Sequence, residues 1–314
     1  MPRLPKIVVV GSLNLDYIAA VKRLPGPGET VAASSLIRRF GGKGANQAIA
    51  AARQGARVSM VGCVGADDQG HAYRQHLRDE GIDTGGLSTS SQALTGTALI
   101  AVDQAAENLI VVAPGANGSL TPTAVRAQRS RIAAADVILL QFEVPMPALL
   151  EAIRLANRAG VRVVLNPSPL RDGFAWGQFE VDSLIVNSSE AFAIFGIPPG
   201  RVSAQLRGWQ KALARKRISQ LLITRGSRPT LCLTANRFFE VPTLPVKPVD
   251  TVGAGDAFAG ALATRLAEGA DLASAARYAN CTGALATLKP GAQEAIPSRI
   301  AVERVLRTSA SKVG

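Results

Sequence analysis

The sequence predicts an α/β fold built on a mostly parallel sheet with helices on both faces, and three observations carry that expectation. Short β-branched runs alternate with helical patterns over most of the 314 residues. Such alternation marks strands joined by crossover helices. Most runs end in polar residues, as expected of open parallel sheets, where ligands bind beyond the carboxyl ends of the strands. Two of the helices open on glycine clusters, around Gly42 and Gly253.

Residues 6–10 (Lys-Ile-Val-Val-Val) read as a buried strand entering the loop Gly-Ser-Leu-Asn-Leu-Asp. Asn14 and Asp16 are two apart, so on extended backbone they point the same way and offer an amide and a carboxylate to one polyhydroxylated ligand. The same two residue types are common turn formers. After the turn-rich Leu24–Thr30 connector and a β-like run over 31–40, Gly41-Gly42-Lys43-Gly44-Ala45-Asn46-Gln47 opens an Ala-rich helix that stops near Gly55. Lys43 and Asn46 share its first turn and can reach one ligand. A lysine there opposes the helix dipole, which favours a functional reading. A strand over 58–64 and a polar helix over 68–80 follow, and runs 98–102 and 109–112 flank a polar insert as a hairpin off the main sheet. The alternation resumes with 137–142 before Glu143, a helix over 148–159, 161–165 before Asn166, 183–186 before Asn187 and Glu190, a basic amphipathic helix within 201–217, and 221–223 before Thr224–Ser227. Residues 242–248 read as a local linker, and there is no internal repeat.

The stretch from Val249 to Gly260 is a glycine-rich loop running straight into a helix. The first amides of a helix lack internal partners and carry partial positive charge, so this entrance suits a phosphate. Asp256, in the first turn, is either a helix-favourable carboxylate or a base aimed at whatever lies beside the phosphate. Two better-known glycine motifs are absent. Phe258 stands where the dinucleotide fingerprint needs its third glycine, and Gly42-Lys43 is followed by Gly44 rather than Ser or Thr, with Ile37 in place of the first P-loop glycine.

A hydrophobic content of 47% is ample for a buried core. Asp136, Glu143 and prolines interrupt the longest apolar candidate, 132–150, so no membrane span is expected. The first residues lack a signal-peptide pattern, and the expected location is the cytoplasm. Cys63, Cys232 and Cys281 are scattered and odd in number, which argues against a disulfide framework and a zinc site. The net charge of +12 attracts anions generally. Its densest stretch, 201–217, has amphipathic spacing that fits a solvated face better than a nucleic-acid site.

Gly41–Ala48 resembles the first motif of the PfkB carbohydrate kinase family, and Asp250–Phe258 resembles the second. Segments 11–16, 107–117, 141–143, 166–169 and 291–293 bring the chain nearest to the family's ribose kinases. The resemblance implies a three-layer α/β/α sandwich with a mostly parallel central sheet and a small β-sheet lid. A single domain over 1–314 is expected, with lid segments at about 13–40 and 97–113.

It also implies ATP-dependent phosphorylation of the ribose 5-hydroxyl, with Asp256 as base and the amides of Gly253, Ala254, Gly255 and Asp256 as anion hole. Asn14, Asp16, Gly42, Lys43, Asn46 and Glu143 would grip the sugar, and Asn187, Thr224, Gly226, Ser227, Gly255 and Asn280 the nucleotide. Glu190 would organise Mg²⁺ through water. Asp250, Val252, Ala286, Lys289 and Gly291 match positions around a K⁺ ion. Two departures are Ala295, where members with K⁺ commonly carry Ser, and the pair Arg225 and Pro229 in the nucleotide loop. The small-molecule partners expected are a sugar and ATP, with no specific nucleic acid and no membrane, in a homodimer formed through the lid. The same motifs would also serve a kinase of fructose, deoxyribose or adenosine, or a sugar- or nucleotide-binding protein without turnover.

Overall fold

In the N-terminal half, β-branched and small residues build β1 (Lys6–Val10), β2 (Asn14–Val21), β3 (Ala33–Gly41), α1 (Lys43–Arg53), β4 (Arg57–Gly65), α2 (Asp68–Asp79), β5 (Asp83–Ser90), β6 (Gly96–Val102), β7 (Asn108–Ala113), α3 (Pro122–Ala127) and α4 (Arg129–Ala133). The remainder forms β8 (Val137–Gln141), α5 (Met146–Ala159), β9 (Arg162–Asn166), β10 (Val181–Asn187), α6 (Ser188–Phe195), α7 (Leu206–Arg215), β11 (Ile218–Arg225), β12 (Arg228–Thr234), β13 (Phe238–Val241), α8 (Ala254–Ala267), α9 (Leu272–Ala286) and α10 (Arg299–Ala310). These elements come from a computed structural model that describes residues 3–105 and 107–310.

The central sheet has nine strands in the order β13-β12-β11-β10-β9-β8-β1-β4-β5. Pairing is parallel from β11 to β5, and only β11–β12 and β12–β13 are antiparallel. The period of two along each strand divides the core into two layers. Ile7, Val9, Leu139, Val164, Ile185 and Leu222 face the side covered by α1, α8 and α9. Val8, Val10, Ile138, Leu140, Val163, Leu165 and Ile223 face the side covered by α5 and α7. Both faces being buried explains why these strands read as continuous apolar runs.

A second sheet, β3-β2-β6-β7, leaves the carboxyl end of β1, with β2 and β6 parallel and the other pairs antiparallel. Leu36, Ile37, Leu99, Leu109, Ile110, Val111 and Val112 are exposed on this sheet, and because successive residues alternate, both of its faces carry apolar side chains. Asn14 and Asp16 therefore start a strand of this sheet instead of closing a loop. The basic helix also begins later than its charge pattern predicts, at Leu206 after two short 3₁₀ turns. Among the described residues no helix is long and apolar enough to cross a membrane.

The contact that positions the functional motifs is between α1 and α8. Both helices present alanines and glycines, so their backbones approach closely. A Cβ added to Gly260 would lie 2.5 Å from Ala50 Cβ and 2.6 Å from the Gln47 carbonyl oxygen. We expect Gly260→Ala to force the helices apart and cost about 1–3 kcal/mol, read as a lower urea midpoint at unchanged slope. An unchanged midpoint would show that this approach is not tight.

Candidate active site

The site lies where the carboxyl ends of β1 and β8 meet the entrances of α1 and α8. After β1, Ser12 donates its hydroxyl to Glu143 Oε2, and the main-chain amide of Lys43 donates to the same oxygen at 3.0 Å. A carboxylate thus sits at the start of α1, where the helix dipole favours negative charge. The Gly44 amide donates to Ser12 Oγ at 3.2 Å and closes the cradle. Gly42 is the N-cap of α1 at φ 86°, and a Cβ there would come within 2.7 Å of the Asn14 amide nitrogen. Only glycine meets both demands.

Asn14 is 5% exposed, and its Oδ1 accepts from Asn117 Nδ2 at 2.7 Å. Asn117 also accepts from the Leu13 amide and donates to the Leu13 carbonyl, which fixes this turn from the segment after β7. Asp16 lies two residues on, its carboxylate over Gly41. Burial, then the charges of Glu143 and Glu294, push its carboxyl up to about 7. Lys43 shows the opposite balance. Asp256 raises its ammonium pKa most, against burial, with help from Glu143 and Glu190.

Asp256, 5% exposed, stands in the first turn of α8 but does not cap it. Its Oδ2 accepts from Asn46 Nδ2 at 3.0 Å and its Oδ1 from Gln47 Nε2 at 2.9 Å. The Ala254 amide makes a long 3.3 Å bond to the Thr251 carbonyl. Those of Gly253, Gly255 and Asp256 have no hydrogen-bond partner among the described residues. Nothing lies within 4 Å of where a Gly255 Cβ would be. A carboxylate and a row of open amides therefore share one helical turn, the arrangement that suits an acceptor hydroxyl beside a phosphoryl group.

Asn187, Thr224, Gly226 and Ser227 lie at the neighbouring ends of β10 and β11. Asn187 and Glu190 form a capping box on α6, and Thr224 Oγ1 donates to the Val186 carbonyl at 3.3 Å. Gly226 makes the turn to β12 at φ 63°, and Ser227's carbonyl accepts from Thr243 Oγ1 at 2.6 Å. Arg225 donates to the Pro229 carbonyl and to Glu240, so its guanidinium braces the β11–β12 turn. Asn280 is buried, donating to the Val241 and Pro242 carbonyls and accepting from Thr230. Its side chain ties α9 to the antiparallel edge of the sheet.

Asp250 accepts from the amides of Val252 and Gly291, at 3.0 and 2.8 Å, and joins the loop before α8 to the loop after α9. The carbonyls of Asp250, Val252, Ala286, Lys289 and Gly291 accept no main-chain amide among the described residues. Ala286 is the last residue of α9, where helix carbonyls lack internal partners. Ala295 is buried and offers no hydroxyl. Among the described residues no three His, Cys, Asp or Glu side chains cluster as metal ligands. Ser12, Gln47, Asn117, Gln141 and Gln293 carry no role in the sequence reading. Their only signal was position within the matching segments.

The pfkB family carbohydrate kinase profile matches residues 4–299. A Haemophilus influenzae ribokinase is 34% identical over 293 residues, 93% of this chain and 95% of its own. One from Bacillus subtilis is 35% identical over 300 residues, 96% of this chain and 99% of its own. The structure of Arabidopsis thaliana ribokinase complexed with ribose and ATP superposes with a TM-score of 0.89 at 27% identity, covering 97% of this chain and 99% of that one. With the profile covering nearly its whole length and relatives of about 35% identity matched end to end, the chain belongs to the pfkB family of carbohydrate kinases.

Proposed function

We propose that the protein transfers the terminal phosphoryl group of ATP to the 5-hydroxyl of ribose. The observation that carries this reading is the buried Asp256 carboxylate, oriented by two α1 side-chain amides beside the open amides of α8. Asn14, Asp16, Gly42, Lys43, Asn46 and Glu143 hold the sugar. Each Asp256 oxygen accepts one amide hydrogen and keeps a lone pair, so the carboxylate can take the proton of the hydroxyl. The amides of Gly253–Asp256 meet the charge on the moving phosphoryl, and the Lys43 ammonium, tied electrostatically to Asp256, adds to that field.

Asn187, Thr224, Gly226, Ser227 and Gly255 line the nucleotide path, with Asn280 behind it. The donor sets fit the two ions that the family uses. Glu190 receives the Asn187 amide on Oε2, which leaves Oε1 for a water of Mg²⁺, an ion that binds few carboxylates. Mg²⁺ would neutralise phosphate charge. Asp250, Val252, Ala286, Lys289 and Gly291 supply the unclaimed carbonyls that suit K⁺, and Ala295 contributes nothing. The small sheet serves as the lid, and its exposed apolar residues form the homodimer surface, where a second copy covers the β7 edge. Three free, buried cysteines accord with a cytoplasmic setting.

Incubation with ATP, Mg²⁺ and ribose is expected to yield ADP and ribose 5-phosphate. Asp256→Ala should lower kcat by about 10²–10⁴-fold while ATP affinity persists, because the anion hole is main chain. Near-normal kcat in that variant would remove Asp256 from its role. Thermal stabilisation by ribose without any product would mean binding without turnover.

Asp16 generates a pH dependence. Its folded pKa lies above its ordinary 3.8, so its burial cost is absent at acid pH and stability falls as pH rises from there toward about 7. Ribose hydroxyls donate to the charged carboxylate, so ribose KM should fall as pH rises through about 7, and Asp16→Asn should abolish that step. A flat ribose KM between about pH 6 and about pH 8 in the native protein would contradict the assignment.

A further inference from the structure

Gln47 follows Asn46 on α1 and is fully buried. Its Nε2 donates to Asp256 Oδ1 at 2.9 Å and to Asn166 Oδ1 at 3.1 Å, and its Oε1 accepts from Gln141 Nε2 at 2.6 Å. Asn166 uses its own Nδ2 on the Ile185 carbonyl, at 3.0 Å, so only its oxygen is turned to Gln47. The Gln47 amide is therefore determined at both ends. Turned over, its oxygen would face two acceptor oxygens and its NH₂ would face the NH₂ of Gln141.

A carboxylate on its own turns freely about its terminal torsion, which is broad and two-fold. Here each oxygen has one donor, from consecutive residues of the same helix, and burial strengthens both bonds. We propose that Gln47 is a positioning residue for the transfer step, held by Gln141 and Asn166 so that the Asp256 carboxylate keeps a fixed plane toward the sugar hydroxyl. The proposal rests on Asp256 being the base.

The two arms of this clamp differ in what else they do. Asn46 is oriented by Gln293 Nε2 at 2.9 Å and belongs to the sugar-binding set, so its loss disturbs sugar binding as well. Among the described residues the Gln47 side chain bonds only to Asp256 and to Gln141 and Asn166, at the ends of β8 and β9. Gln141 meanwhile keeps a buried Oε1 with no hydrogen-bond partner among the described residues, packed where a Gly11 Cβ would fall 2.0 Å away. An unsatisfied buried oxygen is costly, and a side chain needed only for packing would be better apolar. Its other end, the donor to Gln47, accounts for the amide.

The test compares Gln47→Met and Gln47→Leu, which keep apolar bulk and lose the donor, with Asp256→Asn as reference. For each folded variant, kcat and KM for ribose and ATP are measured. The expected result is a kcat fall of about 10–100-fold in both Gln47 variants, with both KM values within about threefold. A purely structural role would lower the melting temperature and leave kcat per folded enzyme unchanged, and that result overturns the proposal. So does a raised ribose KM at unchanged kcat, which would make Gln47 a sugar ligand. If the Gln47 variants do not fold, Gln141→Met decides, with a smaller kcat fall expected and an unchanged kcat overturning. An active Asp256→Asn means that the base assignment itself fails. An inactive Asp256→Asn beside a fully active Gln47→Met means that only the positioning role fails.

Discussion

Two helices must approach closely enough for side chains of the first to reach a carboxylate in the opening turn of the second. The α1–α8 contact meets that constraint through small residues, with Gly260 against Ala50 and Gln47. Asn46 and Gln47 then span to Asp256, and the open amides of α8 follow from the same helix entrance. In the proposed reading, Asn46 at the sugar end and the α8 amides at the phosphate end are parts of one joint. Transfer that depends on alignment and charge stabilisation would benefit directly from such a joint.

The local electrostatics run against the overall charge. The chain carries +12, yet Lys43 lies in the field of three carboxylates, Asp256, Glu143 and Glu190. This division suits a neutral, hydroxyl-rich ligand next to an anionic one: carboxylates accept from hydroxyls, while amide dipoles and one ammonium face the phosphates. Asp16 and Asp256 differ in their neighbours. Asp16 is buried with like charges nearby and is pushed up to about 7. Asp256 instead receives two amide donors.

Much of the fold and of the site was legible in the sequence because it rests on local patterns. Apolar runs such as those of β1, β8 and β9 announced strands, and the glycine clusters announced both helix entrances. What escaped detection depends on tertiary contacts. β5 is Asp-Thr-Gly-Gly-Leu-Ser-Thr-Ser, a stretch of low β-propensity that becomes a strand by pairing with β4. β12 begins with Arg-Pro and exists by antiparallel pairing at the edge, where proline is tolerated. Asn117, Gln141 and Gln293 act across more than 90 residues of sequence each, on Asn14, Gln47 and Asn46, and no spacing rule reports such a distance. The structure turns the Asp256 oxygens to α1, so the capping reading that the sequence allowed does not hold, and only a tertiary contact could show this.

The most direct measurement is a crystal structure of the protein with ribose and a non-hydrolysable ATP analogue. The account requires the ribose 5-oxygen within hydrogen-bond reach of Asp256, about 2.6–3.2 Å, and the terminal phosphate on the amides of Gly253–Asp256. A sugar bound with that hydroxyl turned away from Asp256, or a terminal phosphate remote from the α8 entrance, would contradict it.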